Sequence, residues 1–227
     1  MAATPTKRIK IAASLLAADF AELGRAVEEA TAAGVDSIHI DMMDGHYVPN
    51  ITFGFDLIPA LKRRTHVPLV PHLELSNPGD WLDPLARLGS DMIVVQEDTC
   101  PDLGQTIGRL RDLGVRVGVG VNPDRPLEPV RPFLPRLDLL IVMSVNPGFG
   151  GQSFNPVSMP KLTLVREWRA AAGLSFDIGI DGGVNEKTVR QVVAAGADDL
   201  IVGSAIFQRD GIGVAVARLR ELIASVA

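Results

Sequence analysis

Two polar side chains interrupt the apolar run SIHIDMMDG, which begins at residue 37. His39 and Asp41 are two positions apart, and side chains two apart in a β-strand point to the same face of its sheet. Ile38 and Ile40 then take the opposite face. An imidazole and a carboxylate on a buried face must be paired or must coordinate a metal ion. This spacing therefore indicates either a structural ion pair or a site of chemistry.

Polar side chains lie on two other predicted strands as well. His72 and Glu74 share one face of a run over residues 67–74, and Asp181 ends another run directly before two glycines. Taken alone, such a histidine is usually structural, and such an aspartate often caps the following helix. Two imidazoles and two carboxylates at one rim, however, suit Zn²⁺ or Fe²⁺, and Mn²⁺ or Co²⁺ would also fit. The sequence predicts one divalent metal ion with these candidate ligands: His39, Asp41, His72 and Asp181.

The elements that must position these residues alternate along the chain. Short β-branched runs predict eight strands, at 9–14, 36–43, 67–74, 91–96, 115–121, 137–145, 175–181 and 199–203. Amphipathic helical patterns lie between them; one has Asn185 as its predicted N-cap, and several end at a glycine. Eight such units over 227 residues are typical of a closed (β/α)₈ TIM barrel. We predict an α/β fold with one domain over residues 1–227 and a site at the C-terminal ends of the strands.

Glycine-rich turns follow the last three predicted strands, in the motifs NPGFGGQ, DGGV and GSAIF. Glycine lets successive backbone N–H groups point at an anion, and phosphate sites in TIM barrels use the loops after strands seven and eight. Three such turns on adjacent strands therefore predict a phosphate site. Its candidate residues are Gly148, Phe149, Gly150, Gly151, Gly182, Gly183, Gly203 and Ser204.

The remaining polar residues give weaker signals. Ser14, Gln96 and Asn122 end the first, fourth and fifth predicted strands. We assign His46 a structural role in the loop after the second strand, and we place His66 on the surface at the opposite end of the barrel.

Composition narrows the class of protein. The net charge is −5 with no basic stripe, which disfavours binding to nucleic acid. No apolar run reaches the roughly 20 residues of a membrane span, and the N-terminus does not resemble a secretory signal. Cys100 is the single cysteine, which fits a reducing compartment. We expect a cytoplasmic protein that binds neither nucleic acid nor membranes.

Four motifs, IHIDMMDGHYVPN, MSVNPGFGGQSF, IDGGVN and VGSAIF, resemble the ribulose-phosphate 3-epimerase family in order and spacing. The stretch ASLLAADFAEL is similar to that family's first strand and helix. The resemblance implies epimerisation at C3 of a ketose phosphate, a sugar-phosphate partner and a homo-oligomer. It implies that the four candidate ligands bind the metal, that Asp41 and Asp181 are the acid and base, and that the glycine turns bind substrate and phosphate. It further implies substrate contacts at Ser14 and His72 and a pocket lined by Met43 and Met143.

The implied chemistry explains why these residue types are needed. A proton α to a ketone is removed at a useful rate only if the developing enediolate is stabilised, which a divalent cation can do. Inversion also requires a proton to leave from one face and another to arrive on the opposite face. Two carboxylates on opposite sides of the substrate can act as base and acid and exchange these roles in the reverse direction.

Three positions depart from the family's pattern. Glu74 stands where a third pocket methionine is usual, Gln96 where histidine is usual, and Ala13 where proline is common. These changes leave the identity of the sugar open. D-ribulose 5-phosphate, converted to D-xylulose 5-phosphate, is the predicted substrate, and another ketose phosphate such as allulose 6-phosphate or a tetrulose phosphate is the alternative.

Two other classes of function fit parts of the sequence. A metal-free phosphate-binding barrel lyase would require a catalytic lysine at a strand end, and none of the eight predicted strands ends in lysine. A sugar-phosphate binder without activity would keep the glycine turns but would not need both carboxylates. The two carboxylates therefore favour the epimerase.

Overall fold

The computed structural model describes residues 7–208 and 211–226. Eight parallel strands close into a barrel in chain order, so the predicted (β/α)₈ fold is confirmed. The strands are β1 (Lys10–Ser14), β2 (Ser37–Met43), β3 (Leu69–Glu74), β4 (Met92–Gln96), β5 (Arg116–Val121), β6 (Leu139–Met143), β7 (Asp177–Asp181) and β8 (Asp199–Val202).

Helices cover the outside of the barrel. They are α1 (Leu23–Ala32), α2 (Leu57–Lys62), α3 (Leu82–Arg87), α4 (Leu103–Asp112), α5 (Ser158–Ala171), α6 (Val189–Ala195), α7 (Ser204–Phe207) and α8 (Ile212–Ala224). A 3₁₀ helix, Arg131–Arg136, connects β5 to β6, because prolines in this segment lack the N–H groups that a longer α-helix needs. Within the described part of the chain, no helix is long and apolar enough to cross a membrane.

Side chains along β2 alternate between the two faces of the strand, as the sequence predicts. Ile38, Ile40 and Met42 belong to the apolar layer between barrel and helices. His39 and Asp41 take the other face and are buried inside the barrel. A second apolar cluster fills the inside of the barrel, formed by Ala12, Val70, Met92, Val94, Leu139, Ile141, Met143 and Ile201.

The strand ends lie within two residues of those predicted, but the predicted N-cap of α6 is wrong. Gly34, Gly89, Gly114 and Gly196, the predicted stops, all have positive φ. Asn185 is not the N-cap of α6, because that helix begins at Val189. Its backbone carbonyl instead accepts hydrogen bonds from the N–H groups of Thr188 and Val189. Asn185 therefore shapes a turn that precedes the helix.

Charged side chains close the N-terminal end of the barrel. Asp177 pairs with Lys7 at 2.6 Å and with Lys10 at 2.5 Å. Asp199 lies opposite Lys10 in the β1–β8 ladder, is buried, and has one carboxylate oxygen without a hydrogen-bond partner. Burial and the charge of Asp177 raise the pKa of Asp199 to about 7.

We expect Asp199→Asn to weaken the pH dependence of stability. The carboxyl is ionised above about pH 4 in the unfolded chain but keeps its proton up to about pH 7 in the folded chain. The folded state binds more protons between these values, so the stability of the wild type falls as the pH rises through this window. We expect the variant to lose about 2 kcal/mol less than the wild type. Urea unfolding at pH 5 and pH 8 measures this difference, with exposed Asp112→Asn as the control. Equal losses in Asp199→Asn and the wild type would contradict the assignment.

Candidate active site

The structure brings the four predicted metal ligands together at the C-terminal end of the barrel. In the ladders, His39 pairs with Ser14, Asp41 with His72, and Met143 with Asp181. One nitrogen or oxygen atom from each of the four candidate ligands lies within 4.8 Å of the corresponding atoms of the others. Inward-facing positions on β2, β3 and β7 therefore converge although they are distant in sequence.

The ligand atoms face a common point. His39 Nε2 lies 3.1 Å from Asp41 Oδ1, 3.2 Å from His72 Nδ1 and 3.7 Å from Asp181 Oδ2. His72 Nδ1 lies 3.8 Å from that Asp181 oxygen. Two imidazole nitrogens and two carboxylate oxygens at this spacing match the donor set that Zn²⁺ and Fe²⁺ prefer. The residues present therefore fit a divalent cation.

The two carboxylates have opposite electrostatic environments. Burial opposes the ionised form of Asp41, but the imidazoles of His39 and His72 outweigh it and lower the pKa of Asp41. Burial and the charge of Asp41 raise the pKa of Asp181 to about 7. Burial also opposes the charged form of His39, yet the charge of Asp41 raises its pKa to about 9. Opposed pKa values in a carboxylate pair are typical of an acid and a base that act together.

Ser14 fixes the orientation of Asp41. Its hydroxyl donates a 2.8 Å hydrogen bond to Asp41 Oδ2, which leaves Asp41 Oδ1 toward the histidines. Ser14 also lines the cleft above the cluster. The serine is therefore placed to contact both the carboxylate and a bound molecule.

A cleft extends from this cluster to the glycine turns. Asp41, Asp181, Glu74 and Met143 form its barrel side. All of the predicted phosphate-site residues line it as well: Gly148, Phe149, Gly150, Gly151, Gly182, Gly183, Gly203 and Ser204. The two predicted sites are thus parts of one cleft.

The loop after β6 crosses the mouth of the barrel. Asn50 Nδ2, from the loop after β2, donates a 2.7 Å hydrogen bond to the carbonyl of Gly148. Gln152 Nε2 donates to the carbonyls of Asn146 and Phe149, which closes the loop on itself. The cleft therefore has a roof that is tied to the opposite side of the barrel.

The turn after β7 requires two glycines. Gly182 and Gly183 have φ values of +102° and +64°, a region that other residues rarely adopt. A Cβ atom on Gly183 would lie 2.3 Å from the backbone nitrogen of Phe154. No rotamer can relieve a contact with backbone, so this turn and the roof loop pack only through glycine.

We expect Gly183→Ala to weaken sugar-phosphate binding by about tenfold or more, because the contact with Phe154 must displace the turn. The Kd for inorganic phosphate and the KM for the sugar phosphate measure this effect. Gly173→Ala is the matched control, since Gly173 has φ +62° but no atom within 4 Å of its added Cβ. An equal loss of binding in both variants would mean that backbone strain, and not this turn, is responsible.

Some predicted residues lie outside the cleft. Met43 is buried beside Glu74 in the β2–β3 ladder and, in contrast to the prediction, is not among the described residues that line the cleft. His72, a predicted substrate contact, is fully buried and does not line the cleft either. His66 is exposed, as expected, and His46 is exposed in the loop after β2.

Sequence reasoning missed Asp44, which ties two loops of the mouth together. Its Oδ2 accepts hydrogen bonds from the backbone N–H and the hydroxyl of Ser76, and its Oδ1 accepts from the N–H groups of His46 and Tyr47. These bonds lower the pKa of Asp44 despite its partial desolvation. An aspartate directly after a strand and before Gly45 is a turn signal that would have indicated this role.

Tyr47 joins loops from three strands and was also missed. Its hydroxyl donates to Asp98 Oδ1 at 3.0 Å and accepts a 2.6 Å hydrogen bond from Asn122 Nδ2. Asn122, a predicted strand-end polar residue, therefore supports a loop network. No local pattern in the sequence marks these partners.

Two of the three departures from the family pattern, Glu74 and Gln96, are buried near the cluster, whereas Ala13 belongs to the apolar layer between barrel and helices. Glu74 points into the cleft, and burial together with the charges of Asp41 and Asp181 raises its pKa well above the usual value. Gln96 is fully buried behind it. A Cβ atom added to Gly120 would lie 2.8 Å from Gln96 Oε1 and 3.0 Å from His72 Nε2, so both polar groups occupy the space in front of this glycine.

Comparisons with known proteins match this chain to one family. The model of the Ribulose-phosphate 3 epimerase family matches residues 10–207. The ribulose-phosphate 3-epimerase of Bacillus subtilis is 39% identical over 93% of this chain and 98% of its own length. That of Mycobacterium tuberculosis H37Rv is 41% identical over 93% of this chain and 91% of its own length.

Solved structures with low sequence identity share the fold. The crystal structure of KGPDC from Streptococcus mutans in complex with D-R5P has a TM-score of 0.77 and 13% identity, and the match covers 96% of this chain and 98% of that one. At this identity the likeness supports the barrel alone. The extent and identity of the sequence matches establish that this chain belongs to the ribulose-phosphate 3-epimerase family and is an isomerase.

Proposed function

We propose that this enzyme interconverts D-ribulose 5-phosphate and D-xylulose 5-phosphate by moving protons at C3 with Asp41 and Asp181. The observation that carries the proposal is the placement of both carboxylates on one metal-binding cluster, on β2 and β7, within a cleft lined by the glycine turns. Family membership supports the reaction at C3 of a pentulose phosphate.

The cluster fits one divalent metal ion, held by His39, Asp41, His72 and Asp181. Zn²⁺ or Fe²⁺ suits this donor set best, and Mn²⁺ or Co²⁺ also fits. When bound, such an ion stabilises negative charge that develops on the substrate's oxygens. The histidines keep the two carboxylates at a fixed spacing for proton transfer.

Asp41 and Asp181 divide the proton transfer between them. In one direction Asp41 accepts the C3 proton from one face of the substrate, and Asp181 delivers a proton to the other face. In the reverse direction the roles exchange, as inversion requires.

The backbone N–H groups of the turns after β6, β7 and β8 bind the phosphate in this proposal. Gly182, Gly183 and Ser204 line the side of the cleft formed by β7 and β8. Because the phosphate is far from the reacting carbon, its binding serves to position C3 between the carboxylates.

The test is an assay of the metal-loaded enzyme against four- to six-carbon ketose phosphates in D₂O. We expect the fastest turnover with D-ribulose 5-phosphate and one deuterium at C3 of the product. Negligible turnover of this substrate beside rapid turnover of allulose 6-phosphate or a tetrulose phosphate would overturn the assigned sugar. Epimerisation without deuterium at C3 would overturn the proton-transfer mechanism.

A further inference from the structure

Buried polar atoms without hydrogen-bond partners concentrate on one side of the barrel mouth. Of such atoms among the described residues, most lie on β3, on β4 and directly after β5. Those atoms are His72 Nε2, Glu74 Oε2, Gln96 Nε2, Gln96 Oε1 and Asn122 Oδ1. Folded proteins leave few buried polar groups unpaired, so this concentration points to a surface that binds a polar group.

Glu74 is the member of this set that lines the cleft. Its side chain is on the inward face of β3, and the residue is only 2% exposed. The N–H of Gly148 in the roof loop approaches the carboxylate, while Oε2 has no hydrogen-bond partner among the described residues. Glu74 therefore offers one oxygen for a molecule in the cleft.

The closed barrel places Glu74 opposite the phosphate turns. In an eight-stranded barrel in chain order, β3 and β7 are four strands apart in either direction. A ketose phosphate held by the turns after β7 and β8, with C3 at the carboxylates, extends its other end toward β3. That end is the hydroxymethyl group on the far side of the ketone.

We propose that Glu74 is a specificity-determining residue that hydrogen bonds the terminal hydroxyl of the ketose at the end remote from the phosphate. This inference rests on the proposed function, because it uses the orientation of the substrate given there. Methionine, which the family resemblance implies at this position, offers only a weakly accepting thioether sulfur. The enzyme then selects for the hydroxyl, since a buried carboxyl group is left unpaired when the hydroxyl is absent.

A structural role for Glu74 makes a different prediction. If the carboxyl group only supports the roof loop through Gly148, its replacement changes kcat/KM for all substrates by the same factor. If Glu74 recognises a hydroxyl, its replacement instead changes the ratio of kcat/KM between a substrate that has this group and one that lacks it. The ratio is therefore the quantity to measure.

The experiment compares a ketose phosphate with its 1-deoxy analogue, which keeps the ketone and C3. We expect the wild type to prefer the hydroxylated substrate by about 100-fold in kcat/KM. Glu74→Met and Glu74→Leu are expected to reduce this preference below about tenfold, and Glu74→Gln, which still forms a hydrogen bond, should keep most of it. A wild-type preference below tenfold, or an unchanged ratio in both apolar variants, would overturn the proposal.

A binding measurement separates this inference from the proposed function. Calorimetry of the wild type and Glu74→Met with pentitol 5-phosphates, with and without the terminal hydroxyl, requires no turnover. If no ketose phosphate is epimerised but the wild type alone discriminates between these ligands, the proposed reaction fails and the role of Glu74 stands. If epimerisation occurs and neither protein discriminates, the role of Glu74 fails alone.

Discussion

Replacement of Asp41 or Asp181 by asparagine is expected to lower kcat for epimerisation by about a thousandfold. Each variant keeps the size of the side chain but loses the group that accepts or delivers a proton on one face of C3. The remaining carboxylate can still remove a proton and return one to the same face. We therefore expect each variant to exchange the C3 hydrogen of one epimer with D₂O without inversion, and the two variants to act on opposite epimers.

Controls distinguish a loss of proton transfer from a loss of the metal ion as the cause of the lower kcat. Metal analysis must accompany each assay, because both aspartates belong to the ligand cluster. Asp199→Asn, which alters a buried carboxyl group at the other end of the barrel, should keep kcat within about threefold of the wild type. If Asp41→Asn and Asp181→Asn both keep full activity, the two-carboxylate mechanism is wrong.

Removal of the metal ion is the second change with a large expected effect. Dialysis against a chelator should abolish epimerisation, and one equivalent of Zn²⁺, Fe²⁺, Mn²⁺ or Co²⁺ should restore it. Because the ion binds the folded chain and relieves repulsion between Asp41 and Asp181, we also expect it to raise Tm by about 5 °C or more. Metal content, activity and thermal unfolding together measure the effect.

Variants of single histidines test where the metal ion binds. His39→Leu should reduce metal content well below one ion per chain, because the variant loses a nitrogen that faces all three other ligands. His66→Leu, at an exposed histidine before β3, should keep it. Full activity in protein that holds less than about a tenth of an ion per chain would exclude the proposed cofactor.

The sequence was sufficient to predict the barrel and the inward-facing ligands, because both depend on local periodicity. Alternation along β2 alone places His39 and Asp41 inside, and the parallel order of the strands then brings Asp181 beside them. The glycine turns were predictable because positive φ values restrict the choice of residue.

Features that depend on contacts between distant segments could not be predicted. The support of the mouth by Asp44 and Tyr47 and the position of Met43 outside the cleft depend on such contacts. Asn185 resembled a helix cap because a turn and a helix start share the same local hydrogen bonds. The single domain over residues 1–227, the homo-oligomer and the cytoplasmic location stay predictions.

Gly120, one residue before the end of β5, also limits which substitutions the barrel accepts. A Cβ atom at position 120 would crowd both Gln96 Oε1 and His72 Nε2, so a larger residue there must displace a predicted metal ligand as well as the end of Gln96. A smaller residue at 96 would relieve only the first of these contacts. The space occupied by His72 therefore restricts position 120 to glycine whatever residue stands at 96.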